Sequence, residues 1–489
     1  MSALPEHGRP VEEVLADLRD RRAHDLQVDR ATSRHFESGL PEIRDLVAAA
    51  GALMIGTNGL DPIAYPSVPS IENDLVRATA QVHGGDDRTV GTVTSGGTES
   101  CLLAVLGARE RWRLAHADRT GRPDLVLPVT AHPAFRKAAH LFDLNVVDVP
   151  VDPVTFSPDP HDVRSRLTDR AALVVVSAPE YAHGTIDPVG EVAAAAAERD
   201  VLCHLDMCIG GWVVPFVGED EGLPPVGLSV PGVTSVSADL HKYGYAPKGV
   251  SVLLHAQDAL RRLHYFADTR WPGYPLVNTT LLSSRSVAPA ASAWAVLQHM
   301  GRDGMRGLAL AARRGTLALA QGVAAIDGLE VVAPPAASLL AVTGDGGSDA
   351  PDVWVVIDEM AARGWPLEGL PARAGGPTSF HVTMNASVAG QVPVLLAALE
   401  ESVAAARSRG PARPDEALVA AAATLQPDAL DDATVAGLLA VAGLGGHGDT
   451  GGLLPQRMAP VNAVLEAAPP ALVERLLTAV LGRVYRGEA

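Results

Sequence analysis

The sequence predicts an α/β protein centred on a mainly parallel sheet flanked by helices, with an N-terminal helical segment and a smaller C-terminal α/β unit. Three observations carry this. Six short apolar runs, rich in β-branched residues and without polar alternation, follow one another between residues 124 and 256. Runs of that kind suit strands buried on both faces. Helix-length polar or alanine-rich stretches such as PVGEVAAAAAERD (188–200) separate them, and strands alternating with helices predict a mainly parallel sheet. The length of 489 residues exceeds what one core fills, so two or three domains are expected.

In chain order, residues 10–50 read as helical, with Val11, Val14, Leu15 and Leu18 near helical spacing. Gly56 to Pro69 is a loop rich in Gly, Pro and Asn, and Ile71 to His83 fits an amphipathic helix. The strands expected next are DLVLPVT (124–130), VVDVPVD (146–152), ALVVVSA (172–178), VLCHLDM (201–207), VTSVSAD (233–239) and VSVLLHA (250–256). A long helical stretch, Ala288–Ile326, leads into the smaller unit. Its strands are SLLAVTG (338–344) and SFHVTMN (379–385), and VWVVIDEMAARG (353–364) begins as strand or helix. After the polar break RSRGPARPDE (407–416) the tail reads as alanine-rich helix. The division expected is an N-terminal segment 1–57, a large domain 58–290, a small domain 291–410 and the tail 411–489. The chain has no internal repeat, and GLGGHGDTGG (443–452) reads as a flexible loop because no strand–helix context surrounds it.

Apolar residues make up 47% and charged residues 20%, the balance of a globular chain and not of a disordered one. The net charge of −18 and the lack of a basic run argue against a nucleic-acid partner; the charge reads as a solubility feature. Cys101, Cys203 and Cys208 form no CxxC pair, so reduced thiols of a cytoplasmic protein are expected. The N-terminus carries charges throughout and no apolar h-region, unlike a signal peptide. Leu46–Ile55 is about half the ~20 residues that span a bilayer. A cytoplasmic protein without a membrane span is the expectation.

Four segments carry chemistry. In VSADLHKYGYAPKG (236–249), Lys242 follows His241 at the end of an apolar strand and before a Gly/Pro-rich loop. Burial or a neighbouring charge can make such an amine a Schiff-base nucleophile; by itself the segment fits a surface lysine in a polar loop better. In GTVTSGGTESCLLAVLGARE (91–110), Gly96 and Gly97 allow close backbone approach, the helix start can cradle a phosphate, and Ser95 and Thr98 add hydroxyls. An ordinary helix cap is the competing account. In CHLDMCIGG (203–211), Asp206 ends a buried strand, where a carboxyl group needs a cation or good donors. A protonated pyridine nitrogen is one such partner, nearby amides another. In VTAHPAFRKAAHLF (129–142), His132 sits where a strand gives way to a helix, a place where ligands bind in such sheets, while His140 falls on the packing side. Phosphate loop, histidine, strand-end aspartate and then His-Lys is the sequential layout of fold-type I pyridoxal 5′-phosphate (PLP) enzymes.

The stretches GTVTSGGTES (91–100), AHPAFRKAAH (131–140), SAPEYAHGTIDPV (177–189), HLDMCIGG (204–211), SADLHKYGYAPKG (237–249) and DTRWPGY (268–274) resemble the sphingosine-1-phosphate lyase family, a branch of the group II PLP-dependent decarboxylases. The resemblance runs from about Asn58 to about Ser387. It implies that Lys242 carries PLP as a Schiff base, that Asp206 pairs with the pyridinium nitrogen and that His132 stacks on the ring. It implies phosphate contacts from Gly97, Thr98 and His241, with Ser284 supplied by a neighbouring subunit of a homodimer, and substrate contacts from Asn58 and Lys248. Two stretches depart from the family: Ser284–Arg285 runs into SVAPAA where members have Pro-Gly-Gly, and YPLVNTTLL (274–282) differs.

The activity implied is a carbon–carbon lyase that cleaves the Cα–Cβ bond of a phosphorylated 2-amino-3-hydroxy compound, with Lys248 recognising the substrate phosphate. An amino-acid α-decarboxylase is the alternative. It needs a cationic clamp for the substrate carboxylate, for which Arg270 or Arg285 is available. A PLP-fold protein without catalysis fits least, because each expected polar site residue is present.

Overall fold

The computed structural model describes residues 4–485 except 24, 27, 118–119, 219, 374, 414–418, 421–424, 426–433, 436 and 438–456. Residues 10–50 do not form one helix. Helix α1 (Val11–Arg21) and α2 (Pro41–Leu53) are separated by a strap whose described residues include a short 3₁₀ turn, Val28–Arg30. Proline opens α2, where its missing N–H costs nothing. The strap is held by the small domain instead: Thr32 Oγ1 donates to Pro366 O at 2.7 Å, and Thr32 O accepts from Thr383 N at 2.6 Å. Helix α3 (Ser67–Val82) follows, as its amphipathic pattern predicts.

The large domain then alternates strand and helix. β1 (Val90–Thr94) leads to α4 (Gly97–Ala115), β2 (Asp124–Pro128) to α5 (Ala134–Phe142), and β3 (Asn145–Val149) to α6 (Pro160–Arg166). β4 (Ala171–Ser177) leads to α7 (Val189–Glu198), and β5 (Leu202–Asp206) to the short α8 (Val214–Val217). β6 (Ser235–Ala238), β7 (Ser251–His255) and a one-turn α9 (Asp258–Arg261) complete it. Each of the six apolar runs read as a strand overlaps one, with β3 and β4 starting one residue before their runs. The strands form one sheet in the order β1-β7-β6-β5-β4-β2-β3, parallel from β6 through β3, with β7 antiparallel to both neighbours. Residues of β2, β4, β6 and β7 are buried throughout, which is why these runs carry no polar alternation.

A small hairpin, β8 (Phe266–Asp268) and β9 (Leu276–Asn278), precedes the long α10 (Ala288–Val323), which Gly301 interrupts with a φ of 59°. The N-terminal two-thirds of α10 packs in the large-domain core through Ala293, Met305 and Ala312, its C-terminal end in the small-domain core through Leu319 and Val323. The small domain is an antiparallel sheet, β10-β11-β13-β12, of β10 (Leu329–Val331), β11 (Leu339–Gly344), β12 (Glu368–Leu370) and β13 (Ser379–Thr383). The segment VWVVIDEM is helical: it lies in α11 (Val353–Ala362), whose start Asp352 caps by accepting the Val355 N–H. After the one-turn α12 (Ala386–Ala389), α13 (Val392–Arg409) closes the domain. Of the tail, α14 (Ala459–Ala467) and α15 (Pro470–Val484) are described, whereas the Gly-rich stretch 443–452 lies outside the described residues. Among the described residues no helix is long and apolar enough to cross a membrane.

Candidate active site

The carboxyl ends of the parallel strands and the start of α4 converge on a cavity of about 500 Å³. Ligands bind at this edge in α/β sheets, because the loops there are free to diverge around them. Nine of the residues singled out in the sequence line it: Ser95, Gly96, Gly97, Thr98, His132, Asp206, His241, Lys242 and Lys248.

The Lys242 ammonium lies 3.1 Å from Asp239 Oδ2, and His241 Nε2 lies 3.3 Å from the same oxygen. Burial opposes the Lys242 charge, but Asp239, together with Cys208 and Asp206, outweighs it and holds the ammonium well above its usual range. Burial likewise opposes the Asp239 charge, and the Lys242 ammonium and the hydrogen bond from His241 override it, taking its carboxyl below the usual range. His241 Nδ1 accepts from the Gly249 and Val250 N–H groups, each at 3.3 Å, so Nε2 is the nitrogen that donates to Asp239. Asp239 was not singled out in the sequence, although it lies within the matching motif.

Asp206 accepts from the Cys208 N–H at 2.9 Å and from the Ser237 hydroxyl at 3.2 Å, both at Oδ1. That leaves Oδ2 for a donor in the cavity. The Ser237 hydroxyl also bonds His204 Nε2 at 3.2 Å, and burial pushes His204 down to about 4, so this relay is neutral behind the carboxyl group. His132 Nδ1 accepts the Ala134 N–H at 3.2 Å, and burial pushes the imidazole down. Lys248 donates to His241 O at 3.3 Å, lies 4.9 Å over the Phe36 ring, and is pushed down to about 8 by burial and by Lys242.

No side chain caps the start of α4. A Cβ on Gly97 would stand 2.7 Å from Asp239 Oδ2 and from Cys208 Sγ, and one on Gly96, at φ 150°, 2.9 Å from His241. Only glycine lets the backbone come so close, and this leaves helix-start N–H groups free for an anion. The Asp239 Oδ1 atom is buried without a hydrogen-bond partner. An amine, a carboxyl group that can meet a ring nitrogen, an imidazole and an uncapped helix start are the donor set that PLP requires, and the cavity fits it.

Asn58 and Ser284 meet each other, Nδ2 to Oγ at 3.3 Å, but neither lines this cavity in the single chain. Arg285 is committed to Glu72 at 2.6 Å and to Gly59 O, and Arg270 is exposed beside Asp268, so neither offers a carboxylate clamp in this cavity. Arg34, Tyr181 and Glu368 do reach the cavity mouth from distant parts of the chain.

The profile of the pyridoxal-dependent decarboxylase conserved domain matches residues 1–337. The chain belongs to that family. Within it the chain sits in the sphingosine-1-phosphate lyase branch. It is 34% identical over 399 residues to the lyase of Dictyostelium discoideum, covering 81% of this chain and 72% of that one. Its identity to the lyase of Arabidopsis thaliana is 33%, covering 87% and 78%. The solved sphingosine-1-phosphate lyase of Burkholderia pseudomallei superposes with a TM-score of 0.77 at 36% identity, over 84% of this chain and 94% of that chain. Glutamate decarboxylase of Lactobacillus brevis, at 19% identity and a TM-score of 0.74 over 83% and 95%, shares the fold. A second profile, named for the C-terminal HTH domain of pyridoxal-dependent enzymes, matches residues 416–483. The protein is therefore a PLP-dependent lyase of fold type I.

Proposed function

We propose that this enzyme cleaves the Cα–Cβ bond of a phosphorylated 2-amino-3-hydroxy compound, releasing an aldehyde and an aminoalkyl phosphate. The observation that carries it is the second lysine, Lys248, on the wall of the cavity that holds Lys242. Decarboxylation of an unphosphorylated amino acid gives this cation no task, whereas a phosphate does. Lys242 would hold the cofactor carbonyl, Asp206 its ring nitrogen, His132 its face, and Gly97, Thr98 and His241 its phosphate. Bound PLP supplies the electron sink for the pair released when the bond breaks. Asp239 keeps Lys242 and His241 in fixed positions, and Lys248 orients the substrate by its phosphate. A base takes the 3-hydroxyl proton, the carbonyl of the leaving aldehyde forms, and a proton returns to Cα. The enzyme acts as a homodimer in which Ser284 and Asn58 face the neighbouring subunit's site. A cytoplasmic location accords with three free, buried thiols.

The test compares Lys248→Met with wild type on matched substrates with and without phosphate, detecting aldehyde and carbon dioxide separately. Loss of one charge-assisted contact should raise KM for the phosphorylated substrate by about tenfold or more. The unphosphorylated substrate should be little affected. Equal losses on both would remove phosphate recognition, and carbon dioxide without aldehyde would make the enzyme a decarboxylase.

A further inference from the structure

Two of the three cysteines stand in the wall of the cofactor cavity. Cys101, in the second turn of α4, and Cys208, two residues beyond the end of β5, both line it beside Asp206. One ligand atom from each of the three, two sulfurs and a carboxylate oxygen, lie within 4.8 Å of one another. Gly97 allows this convergence, since a Cβ there would stand 2.7 Å from Cys208 Sγ and push α4 off the loop after β5. No CxxC spacing announces the pair; the fold makes it.

All three groups are almost wholly buried. Asp206 receives the Cys208 N–H and the Ser237 hydroxyl at Oδ1 and keeps Oδ2 for the cavity. Contact with Cys208 lowers the Cys101 thiol, but burial and the Asp206 and Asp239 carboxylates outweigh it. The same contact and burial push Cys208 well above its usual range. Both groups are therefore thiols, and an entering cation has to take the place of two protons. Mg²⁺, which prefers oxygen ligands and keeps its waters, does not do so. A soft divalent ion that bonds thiolate does. Around Zn²⁺, sulfur at ~2.3 Å and oxygen at ~2.1 Å stand about 3.5–3.8 Å apart in a tetrahedron. The cluster reaches that spacing by closing about 1 Å at most, and the cavity side is left for a water as fourth ligand.

We propose that Cys101, Cys208 and Asp206 form a binding site for a thiophilic divalent cation of the zinc or cadmium class, and that this ion and PLP exclude each other. Two metal–sulfur bonds and one metal–oxygen bond form, the two S–H protons pass to solvent, and no electron is transferred. The ion occupies the carboxyl group that the cofactor's ring nitrogen needs, so the two compete for Asp206. Cofactor loading is thereby sensitive to thiophilic metal. The competition goes beyond the proposed lyase reaction and is the same whichever bond the enzyme breaks.

The experiment titrates Cd²⁺ into the holoenzyme while following the absorbance of bound PLP and the ultraviolet charge-transfer band of Cd–thiolate bonds. The thiolate band should grow as bound PLP is lost and free PLP appears in the filtrate. Added PLP should raise the Cd²⁺ midpoint, and a chelator with PLP should restore the starting spectrum. Mg²⁺ should release nothing. Cys101→Ala should raise the midpoint by at least about tenfold, since even an outer partner of a metal ligand is worth that much. A variant that merely loosened the fold or the cofactor would lower the midpoint instead. Cys203→Ala, which removes the third thiol, on β5 outside the cluster, should titrate as wild type. Release of PLP without a thiolate band, a thiolate band with PLP retained, or Cys101→Ala titrating as wild type would each overturn the proposal.

Discussion

Lys248 titrates where its task can be read. Burial first, then Lys242, pushes its ammonium down to about 8, with Asp239 pulling the other way. Below that pH the side chain is charged and attracts a phosphate; above it the amine is neutral and does not. The kcat/KM profile for a phosphorylated substrate should therefore fall as pH rises through about 8, since that ratio reports free-enzyme ionisation. Lys248→Arg, which stays charged, should carry the plateau to higher pH. A rise through the same pH would instead make neutral Lys248 the base for the 3-hydroxyl, and phosphate recognition would be the wrong role. At this scale the sequence showed much: the His-Lys pair, the strand-end aspartate and the Ser-Gly-Gly-Thr turn all reach one cavity. Asp239 escaped notice because a carboxyl group at i−3 meets a lysine only when the chain turns between them, as it does after β6. Arg34 and Glu368 are 334 positions apart, and no local pattern announces a contact of that range.

Glu99 shows what one helix start coordinates. It is the third residue of α4, where a carboxyl group faces the positive end of the helix. Its Oε2 accepts the Ser95 N–H at 2.6 Å and its Oε1 the Leu281 N–H at 2.8 Å, within a side chain that is almost wholly buried. One residue thus ties the start of α4, the proposed phosphate cradle, to the segment that carries Ser284. Glu99→Gln keeps the shape but sets an NH₂ against one of the two amide donors. The expected result is an affinity of the apoprotein for PLP lower by about tenfold, read by absorbance titration. A drop in Tm with unchanged PLP affinity would mean that Glu99 only holds the fold. Elements were legible where burial was two-sided, as in β4 and β6, because an unbroken β-branched run has few other uses. They were less legible at the N-terminus. The helical spacing of α1 is real, but Val11 and Leu18 are 67% and 52% exposed, so the pattern says nothing of where the helix stops. The segment VWVVIDEM was ambiguous for the reason short apolar runs generally are, and Asp352 as a cap settles it.

For the whole molecule, the tail read as alanine-rich helix gains an identity only from the second profile, since composition fixes helicity and not the domain it builds. The proposed homodimer has exposed apolar residues available to it on the single chain. Leu53, Ile55 and Ile63 are 84%, 81% and 91% exposed, and Trp271 and Tyr274, in the segment leading to Ser284, are 46% and 55% exposed. An apolar surface of this kind, with Asn58 and Ser284 away from their own cavity, fits an interface across which those two residues serve the neighbouring site. Light scattering should give twice the chain's mass, and Ile63→Asp, at a position with no packing to lose, should shift the protein towards a less active monomer. The shared site has a sharper test in mixed dimers. Lys242→Ala removes the cofactor lysine, and Ser284→Asp puts a negative charge where a phosphate contact is expected, so each variant alone should be inactive or nearly so. In a mixed dimer with shared sites, one site collects both defects and the other collects neither. Unfolding and refolding the two variants together should then restore about a quarter of wild-type activity, because half the dimers are mixed and each has one intact site. If Ser284 served its own chain's Lys242, every site in the mixture would retain a defect and no activity would return.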